Sequence, residues 1–67
     1  MSVLIKLSTR EREVLTLRHN GFTDNDIAQK LSISSHTART HRQNLRIKFQ
    51  VSSTVLMLKK AAALKHL

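Results

Sequence analysis

The 67-residue chain has no cysteine and no proline, and its one glycine is Gly21. Without cysteine, neither disulfides nor thiolate metal sites can reinforce the fold, and the four histidines are scattered without the spacing of metal ligands. No cofactor or small-molecule ligand is expected, and stability must come from packing, a partner subunit included. Strands and hairpins lack their usual turn residues, whereas Leu, Ala, Lys and Arg are plentiful, so the expected fold is all-α. No apolar run approaches the ~20 residues needed to span a bilayer, and Val3-Leu4-Ile5 is too short for the core of a signal peptide. A cytoplasmic protein without a membrane role is the expectation. Nucleophile–base pairs, metal clusters and phosphate-cradling glycine loops are missing from the sequence, so an enzyme is not expected.

What the chain does have is positive charge: twelve Lys and Arg against four Asp and Glu, a formal net charge of +8. Such a field attracts polyanions before any specific contact forms, leaving nucleic acid, an anionic membrane or an acidic protein as partners. The cations are spread over several segments and do not make one face of a single long amphipath, which disfavours the membrane surface. A chain this short buries only about 60% of its unfolded surface and cannot hold two cores. Residues 1–67 are therefore read as one domain, with Val3-Leu4-Ile5 either the remnant of a linker or an extra packing segment.

Four helices follow from their start and stop signals, at about 9–19, 24–31, 35–49 and 54–65. Ser8 with Glu11 and Thr23 with Asp26 each have capping-box spacing, and Phe22 with Ile27 has that of a hydrophobic staple. Val14, Leu15 and Leu17 form the apolar stripe of the first helix, which Asn20-Gly21 ends. The second buries Ile27, Ala28 and Leu31, small Ala28 permitting close approach of a neighbour. Ser32-Ile33-Ser34 makes a tight turn with Ser34 as the next cap, a connection too short for antiparallel pairing, so the two helices it joins should cross steeply.

In the third helix, Ala38, Leu45 and Phe49 share one stripe while His36, Arg39, Thr40, Gln43 and Ile47 project from the other side. Guanidinium, hydroxyl with methyl, and amide are the groups suited to base edges in a major groove, which makes Arg39, Thr40 and Gln43 the candidate readers. Arg42, Arg46, Lys48 and His41 flank them, where cations fix position on phosphates without specifying sequence. The fourth helix is apolar on two sides. Met57, Leu58, Ala61 and Leu64 form a packing stripe, and Val55, Leu56, Ala62 and Ala63 form a second that suggests a subunit contact.

The spaced set Leu7-Ser8-Thr9-Arg10-Glu11-Arg12-Glu13-Val14-Leu15, Gly21, Ile27-Ala28, Leu31, Ile33-Ser34, Thr37, His41, Asn44-Leu45, Lys48-Phe49 and Val51 resembles the LuxR-type DNA-binding domain. That family includes GerE-like stand-alone regulators and the output domains of NarL-type response regulators. The resemblance runs without a gap from about Leu7 to Ala62. It implies a four-helix helix-turn-helix fold, a third helix in the major groove of double-stranded DNA, and a fourth helix that mediates homodimerisation. By that likeness base readers fall on Arg39, Thr40 and Gln43, and phosphate contacts near Asn25, Thr37, His41 and Arg42; His36 and Arg46, from their own places on and beside the outward face, are also read as phosphate contacts. The dimer contact falls on Val55, Leu56, Lys59, Ala62 and Ala63, and Glu11, Leu15 and Gly21 take structural positions. Asp24, Asn25 and Asp26 depart from the family, which commonly carries a lysine there. A transcriptional regulator or its output domain is the expected function, and a basic module binding RNA or an acidic protein is the alternative.

Overall fold

A computed structural model describes residues 5–67, so Val3 and Leu4 of the opening apolar triplet lie outside the described residues. Ile5 packs against the core. Four helices follow in order: α1 (Thr9–His19), α2 (Asp24–Leu31), α3 (Ser35–Lys48) and α4 (Thr54–Ala63), with no strand among the described residues. Each begins on a hydroxyl cap, Ser8, Thr23, Ser34 or Ser53, whose side chain accepts a backbone N–H in the first turn. Both predicted capping boxes form, with Glu11 accepting from the Ser8 amide at 2.9 Å and Asp26 from the Thr23 amide at 3.2 Å. The Thr23 amide is the main reason that the Asp26 carboxyl titrates below its ordinary range.

All four helices end the same way. A residue with positive φ follows the last turn: Gly21 at 94°, Ser32 at 56°, Gln50 at 56° and Lys65 at 63°. The next amide then folds back to a carbonyl five residues earlier, Phe22 to Leu17, Ile33 to Ala28, Val51 to Arg46 and His66 to Ala61. This is the Schellman closure, and it satisfies carbonyls that the helix leaves unpaired. Only the first of the four uses glycine. The others hold an L side chain in the left-handed region, at a cost of roughly 1–2 kcal/mol each that packing of the returning residue must offset. The closures also shorten two helices relative to expectation: α3 ends at Lys48 with Phe49 as its cap, and α4 at Ala63, not near residue 65. Leu64, expected in the packing stripe, lies past the helix end and is exposed. His66 is half-buried, its ring edge-on to Phe49 with centroids 5.5 Å apart, and this contact accompanies the turn at Lys65.

One core joins the helices. Val14 and Leu15 of α1, Ile27 and Ala28 of α2, Ala38, Leu45 and Phe49 along α3, and Met57 and Ala61 of α4 are all buried. The helix α3 packs against each of the other three, so its position is set from several sides. A second tie is ionic. Glu11, 6% exposed, accepts from Lys48 Nζ at 2.7 Å, and the same ammonium donates to the Lys6 carbonyl at 3.1 Å, fastening the end of α3 to the start of α1. Burial alone would raise the Glu11 carboxyl, but Lys48 and the Ser8 amide and hydroxyl together outweigh it and hold the group below its ordinary value of 4.5.

Two outcomes are expected from this scaffold. The Glu11 carboxyl binds its proton less readily in the folded chain, so its stabilisation is complete above the unfolded value of 4.5 and is lost as pH falls through the lower folded value. Urea melts between neutral and acidic pH should lose stability over that range in the wild type and less steeply in Glu11→Gln. At the helix ends, a Cβ on Gly21 meets no atom within 4 Å, so Gly21→Ala should cost about 1 kcal/mol from backbone strain alone, while Gln50→Gly should gain up to about that amount. Thermal denaturation reads both signs.

Candidate nucleic-acid interface

The face of α3 turned away from the core carries His36, Thr40, Gln43 and Ile47, all exposed, with Ile47 at 68%. At about 100° per residue these four lie close to the pole opposite the Ala38-Leu45-Phe49 stripe. The Thr40 hydroxyl donates to the His36 carbonyl at 3.0 Å, a local back-bond that leaves its methyl and a lone pair turned outward. In that rotamer Thr40 offers an acceptor and an apolar contact, not a donor. Gln43 presents its amide on the same surface, and Asn44 lies beside it.

Arg39 is exposed too, but it sits to one side of the pole, toward α2. Its Nε lies 3.8 Å from Asp24 Oδ2, and its side chain is 60% exposed. A pair at that distance and exposure is weak, so the guanidinium remains available. Arg42 is different. Its Nε donates to Asp24 Oδ1 at 3.0 Å, one terminal nitrogen to Oδ2 at 3.1 Å, and the other to Thr54 Oγ1 at 3.0 Å. Both members of the ion pair are only about a fifth exposed. Asp24 is the first residue of α2 and Thr54 the first of α4, so a single guanidinium braces two helix starts against the middle of α3.

The remaining predicted phosphate-side residues fall around this brace. The Asn25 side chain accepts from the Ser35 hydroxyl, joining the start of α2 to the start of α3. The Ser34 hydroxyl donates to Thr37 Oγ1 at 2.8 Å and also caps the Thr37 amide. His41 is half-buried on the flank, and Arg46 donates to the Ser52 carbonyl at 3.3 Å. On α4, Val55, Leu56, Lys59, Ala62 and Ala63 are exposed together, whereas Met57 and Ala61 face the core and Lys60 caps the end of α3 by donating to the Phe49 carbonyl at 2.7 Å.

Sequence reasoning missed the brace. Residue type groups Arg42 with the flanking phosphate cations, yet it lies only about 40° from the centre of the buried stripe when the helix is counted at 100° per residue. That angle was the available signal. Its partners, 18 and 12 residues away, were not readable from local spacing.

Two helices joined by a three-residue turn, the second offering an exposed polar face on a chain of net charge +8, define a DNA-binding helix-turn-helix domain. Residues 6–61 match the family described as bacterial regulatory proteins, luxR family, also called GerE. The chain belongs to that family. It is 40% identical over 55 residues to the transcriptional regulatory protein MctR of Rhizobium johnstonii, covering 82% of the chain and 26% of MctR. Identity to the quorum-sensing regulator RhlR of Pseudomonas aeruginosa is 41% over 64 residues, 96% of the chain and 27% of RhlR. The Escherichia coli response regulatory protein YgeK is 39% identical over 56 residues, 84% of the chain and 38% of YgeK. The chain thus spans well under half the length of these relatives. The solved structure of the transcription factor GerE superposes with a TM-score of 0.85 at 32% identity, covering 90% of both chains.

The brace predicts a stability effect that needs no DNA. Arg42→Met keeps the aliphatic stem but strands the Asp24 carboxylate, and should destabilise the free domain by about 1–3 kcal/mol in urea unfolding. A change below roughly 0.5 kcal/mol, the size of an ordinary surface substitution, would show that the guanidinium braces nothing.

Proposed function

We propose that the chain binds a specific double-stranded DNA sequence as the output domain of a transcriptional regulator, with α3 lying in the major groove. The observation that carries this reading is the joint exposure of Arg39, Thr40 and Gln43 on a helix whose opposite stripe is fully buried. A helix fixed from several sides presents its outward groups in a set register, as base readout requires. Arg39 supplies a fork for the two acceptors of a guanine, Gln43 an amide for an adenine, and Thr40 an acceptor and methyl. Ile47 extends the outward face with an apolar group suited to a thymine methyl. Asn25, Thr37, His41 and Arg46 border this face and His36 lies at its N-terminal end, where their polar groups meet sugar–phosphate backbone and orient the domain. Arg42, expected among them, keeps at least three of its N–H groups inside the domain and contributes chiefly as a brace.

The exposed α4 surface of Val55, Leu56, Lys59, Ala62 and Ala63 supports a homodimer on a two-fold-related operator. No described helix is long and apolar enough to cross a membrane, in keeping with a protein working on DNA in the cytoplasm.

Sites selected from random duplexes should converge on a two-fold-related sequence. Arg39→Ala should then lose about 1–3 kcal/mol on that site and relax discrimination at one base pair, with a much smaller loss on random duplex. Equal losses on both would remove Arg39 from the reading set. Leu56→Asp should leave the domain folded and halve the protein mass found per operator in analytical ultracentrifugation; an unchanged mass would move the dimer contact elsewhere.

A further inference from the structure

We propose that Asp24 is a positioning residue that sets DNA specificity: its carboxylate withholds Arg42 from phosphates and competes for Arg39, lowering affinity for any duplex while sharpening the choice among them. The inference rests on the DNA-binding reading above and concerns a residue that makes no contact with a base in it.

Asp24 is an acidic group at the edge of a surface otherwise suited to a polyanion. As the first residue of α2 it is favoured by the helix dipole. It does not point idly into solvent, because both oxygens are taken by the Arg42 fork at 3.0 and 3.1 Å. The third leg of that fork, to Thr54 at 3.0 Å, makes the guanidinium a fixed strut with little freedom to swing toward a phosphate. An arginine held by a carboxylate neutralises no phosphate and so releases none of the cations condensed on DNA, which means that Arg42 should add nothing to the salt dependence of binding.

Arg39 lies three residues earlier on the same helix and shares the same carboxylate at 3.8 Å. This contact is loose and exposed, so a guanine edge offering two acceptors can replace it. A base without that pair of acceptors replaces it less readily, and Asp24 then keeps a larger share of the Arg39 guanidinium. One carboxylate in this way aligns α3 through Arg42 and disfavours the non-specific use of Arg39. The other acidic group of the α2 first turn, Asp26, is occupied by the Thr23 cap. Asn25 is occupied by Ser35, so neither residue duplicates the arrangement.

The test compares a selected operator with a random duplex across a series of salt concentrations, for wild type, Asp24→Asn and the double variant Asp24→Asn with Arg42→Gln. In Asp24→Asn, random-duplex affinity should rise, the slope of log K against log salt should steepen by roughly 0.9, the value of one additional phosphate neutralised, and the operator-to-random ratio should fall several-fold. The double variant should return to the wild-type slope. A folded Asp24→Asn protein with unchanged slope and ratio, or with equal affinity losses on both duplexes, overturns the proposal. Nitrogen-edited NMR of the wild-type arginine Nε–H groups avoids any folding defect of the variants. The Arg42 signal should stay in place with either duplex and the Arg39 signal should move with the operator alone; displacement of Arg42 by random duplex is also disproof. Wild-type protein that binds neither duplex would instead sink the DNA-binding reading itself.

Discussion

Burial of a single stripe on α3 is the constraint on which the rest of the molecule depends. Ala38, Leu45 and Phe49 are fully enclosed, and every other helix contributes to the enclosure. With no cysteine for a disulfide and no cluster of metal-ligating side chains among the described residues, this shared core supplies the main cohesive term, and it acts at the helix that carries the candidate readers. Stability and presentation of the polar face are therefore the same property. Loosening the stripe would free α3 to rotate, and with it every group on its outward face.

Polar contacts refine what the core positions. Lys48 fastens the end of α3 to Glu11 and the Lys6 carbonyl, Lys60 fastens its last turn to α4, and Asp24 with Thr54 grips its middle through Arg42. Three of the chain's twelve Lys and Arg are thus spent inside the domain. The count of twelve Lys and Arg therefore overstates the number of groups free to meet phosphate. Discrimination by such a domain comes from a small number of well-held groups.

Much of the architecture was legible because helix boundaries are local chemistry. Hydroxyl caps, the reciprocal carboxylates at Glu11 and Asp26 and the glycine after α1 act within five residues of their own position, so their spacing reports them directly. Helical periodicity likewise separated the buried stripe of α3 from its exposed side, and Arg39, Thr40 and Gln43 are exposed as that periodicity requires. The ends of α3 and α4 were harder to read. Gln50 and Lys65 carry no intrinsic preference for the left-handed turn; they adopt it because Val51 returns to the core and His66 meets Phe49.

The sequence by itself determined four capped helices, a three-residue turn between the second and third, one apolar core and one outward polar face, since each is written in the spacing of neighbouring residues. Tertiary structure alone decided which cations are free. Asp24, Arg42 and Thr54 lie on three different helices, and their meeting depends on how those helices pack, a relation that no local pattern encodes. Helical spacing turns Arg42 toward the core side of α3, but it does not say which carboxylate waits there. Only the packed arrangement brings the two oxygens of Asp24 within reach of one guanidinium, and that proximity turns a flanking charge into a strut.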